Sequence, residues 1–263
     1  MSIAAVARTR RATVELFGTV FGSVCVLAAL VIIWMARLSV SRDLYVSELG
    51  ARSQPTARWF EAALLLIVLG GSLIAYAGRG IRSRLPILRA WTPAISLWIG
   101  CAFFLVASQV PCTTGCPLPM GASFDWEDFV HTLVAVLAFA AACWAMLQTS
   151  FARGHRALAG ISLAGGIAVA IIAGTGGILS LARFQADFGS RLELVATTIA
   201  LGWLLVLGVV IASRLAVGRP VASPGLSRPP IESRAEDSGL EPAAVPAGHP
   251  LRISRQKLGT PGL

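Results

Sequence analysis

Residues 16–36 read LFGTVFGSVCVLAALVIIWMA, 21 residues without a formal charge. A helix rises about 1.5 Å per residue, so a run of this length covers the ~30 Å hydrocarbon core of a bilayer. Arg37 follows directly and no small-x-small exit closes the run, so it reads as a signal-anchor helix that is retained. Five further apolar runs follow at 60–78, 92–110, 132–148, 158–182 and 194–213. Glu61 is the one formal charge inside the six, a single residue from an end. Period-two alternation is absent, which excludes a β-barrel. The fold expected is all-α, a six-helix transmembrane bundle.

Composition agrees. Of 263 residues, 56% are hydrophobic and only 13% charged, about half the charged share of a soluble domain. The net charge of +9 is not a nucleic-acid footprint. The charges lie between apolar runs and do not gather on one amphipathic face, so no nucleic-acid partner is expected.

Basic residues orient the spans. Arg8, Arg10, Arg11, Arg79, Arg82, Arg84, Arg89, Arg153 and Arg156 fall on one side, with Glu15 as the only acid there. The other side holds Arg37, Arg42, Arg52, Arg58, Arg183 and Arg191. It also holds the acids Asp43, Glu48, Glu61, Asp125, Glu127, Asp128, Asp187 and Glu193. This asymmetry predicts that both termini are cytoplasmic, in a multi-pass protein of the plasma membrane. Residues 1–15 read as a basic cytoplasmic N-terminus and 16–213 as the transmembrane domain. Residues 214–263 carry most of the chain's prolines and read as a disordered cytoplasmic tail.

None of the spans has an interior proline, and Pro93 stands in a first turn, where proline is tolerated. In the fifth span Gly166, Ala170 and Gly174 recur every four residues, a small-residue stripe that suits close helix packing. The two halves show no self-similarity, so an inverted-repeat transporter is not supported.

Cys25, Cys101 and Cys143 lie inside spans and read as small apolar residues. Cys112 and Cys116 share the outward loop 111–117, PCTTGCP, where an oxidising compartment favours a disulfide. Two cysteines are too few for structural zinc, and no span carries the histidine pair a haem would need. No metal and no cofactor is expected. His131 opens the fourth span, with Asp128 one turn before it on the same face. Glu48 comes from the first outer loop and Glu61 from the second span. Glu48, Glu61, Asp128 and His131 thus form a candidate outer-face cluster, able to hold a headgroup or ion or to move protons. The plainer reading leaves the acids as complements to a helix dipole, with Ser123 as its cap.

Residues 43–51 (DLYVSELGA), 111–117 (PCTTGCP) and 128–131 (DFVH), with six spans, resemble the bacterial domain-of-unknown-function family 998, common in actinomycetes. The resemblance covers about 14–214. It implies a six-span plasma-membrane protein and transfers no catalytic residue. By analogy the family is similar to six-helix eukaryotic membrane proteins linked to autophagy and lipid asymmetry. The reading is a non-catalytic membrane protein whose outer face binds membrane lipid headgroups or a partner protein, with a homo-oligomer as a further option. The alternative is a membrane enzyme or ion-coupled carrier built on the outer cluster.

Overall fold

A computed structural model describes residues 3–113, 124–154, 156–182 and 184–218. Its helices are α1 (Ile3–Leu38), α2 (Ala57–Gly78), α3 (Pro93–Gln109), α4 (Trp126–Ser150), α5 (Arg156–Leu181) and α6 (Ala186–Ala216). Among the described residues there are no strands beyond one isolated bridge, Ser83 with Ala152. Each expected span lies within or closely matches one helix. Five helices are long and apolar enough to cross a membrane. The exception, α3, has 17 residues, the lower bound for spanning. Residues 219–263, and with them most of the tail expected from 214 onward, lie outside the described residues.

Two boundaries differ from expectation. The N-terminal segment is not a free basic stretch, because α1 starts at Ile3. No proline or glycine interrupts the sequence before Gly18, and Glu15 ties Arg11 (3.1 Å) to the end of α2 through Arg79 (2.5 Å). At the other end α6 runs on through Arg214 to Ala216.

Each helix packs on its neighbours in sequence, and α1 closes the ring against α6. Short connections force antiparallel neighbours, so the connections around 39–56, 110–125 and 182–185 share one end of the bundle. Those at 79–92 and 151–155 share the other. Along α1, Val26, Ala29 and Ile33 are buried while Phe17, Phe21 and Val24 are exposed. The exposed stripe faces lipid, which is as apolar as the side chains themselves. Helix association here rests on close packing, and the tightest crossing is Gly22 on α1 against Gly70 on α2. A Cβ at Gly22 would stand 2.8 Å from the Gly70 carbonyl oxygen, so no larger side chain fits without separating the helices. In the fifth span only the first member of the small-residue stripe is a packing contact, since Ala170 and Gly174 are exposed. A Cβ at Gly166 would meet Met146 of α4 at 3.2 Å.

The end formed by 79–92 and 151–155 is sealed. Gln148 of α4, 1% exposed, donates from Nε2 to the carbonyls of Leu88 (3.2 Å) and Trp91 (2.9 Å). Its Oε1 accepts from Ser96 Oγ at 2.7 Å, and Trp91 Nε1 donates to that hydroxyl at 2.8 Å. The Arg84 amide donates to the Phe151 carbonyl at 2.8 Å. Every polar group in this knot has a partner.

Candidate functional site: a cavity behind the first connection

The opposite end is laced by acids. Asp43 accepts from Arg37 of α1 and from Arg191 of α6 (Nη2 2.7 Å, Nε 3.0 Å). It thereby ties the first connection to the two helices that close the ring. Glu48 Oε2 accepts the Tyr45 amide at 2.9 Å and holds the turn Ser47–Gly50. Burial pushes the Glu48 carboxyl above its ordinary range, against the opposing pull of the Tyr45 amide and of Arg42. The Arg52 amide donates to the Cys112 carbonyl at 3.3 Å, and its guanidinium pairs with Glu127 at 2.6 Å. Cys112 is fully buried, its Sγ 3.8 Å from the Ser47 carbonyl oxygen. The first and third connections are therefore stitched together.

Helix α4 begins at this end. Its cap is Asp125, whose side chain accepts the Glu127 amide at 2.7 Å. The cap expected from Ser123 lies outside the described residues, and Asp125 already fills that role. Asp128, 1% exposed, accepts both the amide and the hydroxyl of Thr113, each at 2.7 Å. His131, 3% exposed, donates from Nδ1 to the Val110 carbonyl at 2.7 Å. The carbonyl can only accept, so Nδ1 carries the hydrogen and Nε2 keeps the lone pair in the neutral ring.

Behind these loops a cavity of about 90 Å³ runs into the bundle. Its walls are apolar, from Phe60 and Leu64 of α2, Leu97 and Phe104 of α3, and Leu201 and Leu204 of α6. The space exists because α4 offers Ala135, Ala138 and Ala142 on one face, spaced by three and four residues. Small side chains opposite large ones leave a gap that no neighbour fills. The polar lining is Ser47, His131, Glu193 and Thr197, which sit on the first connection, in the second turn of α4 and in the third and fourth turns of α6. Glu193 Oε2 accepts the Val46 amide at 2.8 Å.

The cluster expected from sequence is only partly assembled. His131 reaches the cavity. Asp128 is spent on Thr113 and Glu48 on Tyr45, so both shape the loops. Glu61 is exposed. One residue is about 100° of helix turn, which puts Glu61 off the wall that Phe60 and Leu64 form. The expected Cys112–Cys116 disulfide falls on Cys116, which lies outside the described residues. Cys25, Cys101 and Cys143 are free. Sequence reasoning missed Glu193, having counted it only as an outer charge. A lone acid between Leu192 and Leu194, one turn before Thr197 on the same face, was the available signal.

A family model described as "Protein of unknown function (DUF998)" matches residues 20–210. No curated protein and no solved structure matches the chain.

Proposed function

The chain belongs to the DUF998 family, and from that premise we propose that it is a plasma-membrane protein whose interior cavity binds a single-chain amphiphile. The hydrocarbon chain lies against Leu64, Phe104, Leu201 and Leu204, and the polar head sits beside His131 and Glu193. The observation that carries this reading is the division of the cavity lining: apolar walls along the bundle, polar groups only at the end behind the first connection. An apolar void takes apolar guests, and at about 90 Å³ this one holds a segment of only a few carbons of such a chain. The same division favours a head at the depth of lipid headgroups and a chain at the depth of lipid tails.

Two further parts of the reading concern the surroundings of the cavity. The arginine asymmetry favours both termini in the cytoplasm, with the His131 end outside. Topology reporters fused at Arg84 should then report cytoplasm and those fused at Phe124 the exterior. In that compartment a Cys112–Cys116 bridge would hold the third connection against Ser47. Alkylation of both thiols without reductant would dismiss the bridge.

The test of function is native mass spectrometry of protein extracted in mild non-ionic detergent. The expected result is a one-to-one adduct with the mass of a single-chain lipid. Ala142→Phe fills the void from α4 and should abolish it. An adduct that survives Ala142→Phe contradicts the reading.

A further inference from the structure

The sealed end of the bundle carries a surface that the cavity does not use. Residues 79–92 read RGIRSRLPILRAWT, with basic and apolar side chains interleaved. Ile81 and Leu88 are buried, whereas Leu85, Ile87 and Trp91 are 41%, 83% and 43% exposed. Arg82, Arg84 and Arg89 are exposed beside them. The connection therefore splits its apolar side chains between the core and an outer face that no described residue covers.

Hydrogen bonds fix the depth of that face. Gln148, which holds the Leu88 and Trp91 carbonyls, stands two residues before α4 ends at Ser150. The short turn Ile87–Arg89 is thus held within reach of the last turn of α4 and does not project far beyond it. Helix α3 starts just after this turn, and its 17 residues rise only about 25 Å. The hydrocarbon core is ~30 Å thick, so the chain flanking α3 lies at the core's boundary. In water, Leu85, Ile87 and Trp91 would be an exposed apolar patch. At the boundary they meet acyl chains, and tryptophan is a residue that gathers there.

Charge specifies the headgroup. Glu15 is the only acid at this end, and Arg11 and Arg79 hold it. Arg84 and Arg214 reach the carbonyls of Ala152 and Gly154. Among the described residues the guanidiniums of Arg82 and Arg89 have no partner. An arginine keeps its stem in apolar surroundings while its head reaches the headgroup layer, and its planar fork matches a phosphate.

We propose that the 79–92 connection is a membrane-surface anchor for anionic phospholipid. Leu85, Ile87 and Trp91 enter the acyl boundary, and Arg82 and Arg89 take headgroup phosphates. A zwitterionic headgroup brings its own cation to the arginines, and an anionic one does not. A soluble acidic protein fits the charge but not the depth. The proposal is independent of the amphiphile reading, whose polar groups lie at the other end of the bundle.

Two measurements on the full-length protein test it. In nanodiscs of phosphatidylcholine, adding phosphatidylglycerol should slow amide hydrogen exchange at 79–92 and leave 39–56 unchanged. In native mass spectrometry from mild detergent, phosphatidylglycerol should bind more tightly than phosphatidylcholine. Replacing both arginines, Arg82→Gln with Arg89→Gln, should weaken phosphatidylglycerol roughly tenfold and leave phosphatidylcholine unchanged. Should that variant not fold, the comparison of the two lipids in the wild-type protein still decides. Equal exchange and equal binding with the two lipids overturn the proposal, as does a phosphatidylglycerol preference that survives loss of both arginines. Exchange at 79–92 as fast in either nanodisc as in detergent also overturns it, and leaves this face in water, open to a soluble acidic protein.

Discussion

The two ends of this bundle handle buried polarity in opposite ways. At the Gln148 end one side-chain amide closes a knot. It satisfies two backbone carbonyls and a hydroxyl, and that hydroxyl also takes an indole N–H, so every member of the knot has a partner. At the His131 end the side chains face an open space, and several acceptor sites remain unused. Each of these side chains has a partner, and what the first end lacks is the space beside them. On the proposed function one end is a plug and the other a receptor, although both are built from loops of modest length.

The largest expected effect is at the plug. Gln148→Leu strips the Leu88 and Trp91 carbonyls of their donor in a site closed to water, at a cost of roughly 2–5 kcal/mol. Unfolding in mixed micelles measures this, and amphiphile binding should be unchanged. A loss below about 1 kcal/mol would mean that this end is not sealed by Gln148.

At the receptor end, Asp128→Ala releases the amide and hydroxyl of Thr113, worth about 1.5–3 kcal/mol for bonds to a charged acceptor. The third connection should then exchange its amide hydrogens faster, while the 79–92 connection should not. Exchange rising equally in both would erase the distinction between the ends. Asp43→Asn should cost less, about 1 kcal/mol, because Arg191 is exposed and salt screens the pair. High salt should shrink the difference from wild type. The smallest effect belongs to Glu61→Gln. With Glu61 exposed, stability should stay within about 0.5 kcal/mol and amphiphile binding should be unaltered. A binding defect there would return Glu61 to the site.

The sequence makes the helices easy to find, since long uncharged runs have few other solutions. It is a poorer guide to where they end. The helical reach of α1 to Ile3 depends on Glu15 meeting Arg79 from α2, a contact between distant segments. The Gly22–Gly70 crossing is likewise invisible until the two helices are laid together, because neither glycine falls in a stripe that stands out. At the site, His131 was legible as a rare ionisable group at a span's edge. Its proton arrangement was not, because the partner is a backbone carbonyl on another helix. Asp128 and Glu48 carried the expected chemistry but turned inward on their own loops. Glu193 was passed over because a tally of charges by side treats every acid alike. Which acid faces the interior is decided by helix phase, here the one shared with Thr197, Leu201 and Leu204.

The central claim is that a single hydrocarbon chain occupies the interior of the ring. Photo-crosslinking with an alkyl diazirine amphiphile in lipid nanodiscs, followed by peptide mapping, tests it most directly. Labels should concentrate on interior positions such as Leu64, Phe104 and Leu201, and an unlabelled single-chain amphiphile should compete them away. Labelling confined to lipid-facing positions such as Phe21, Val24 and Ile171, and indifferent to competitor, would contradict it.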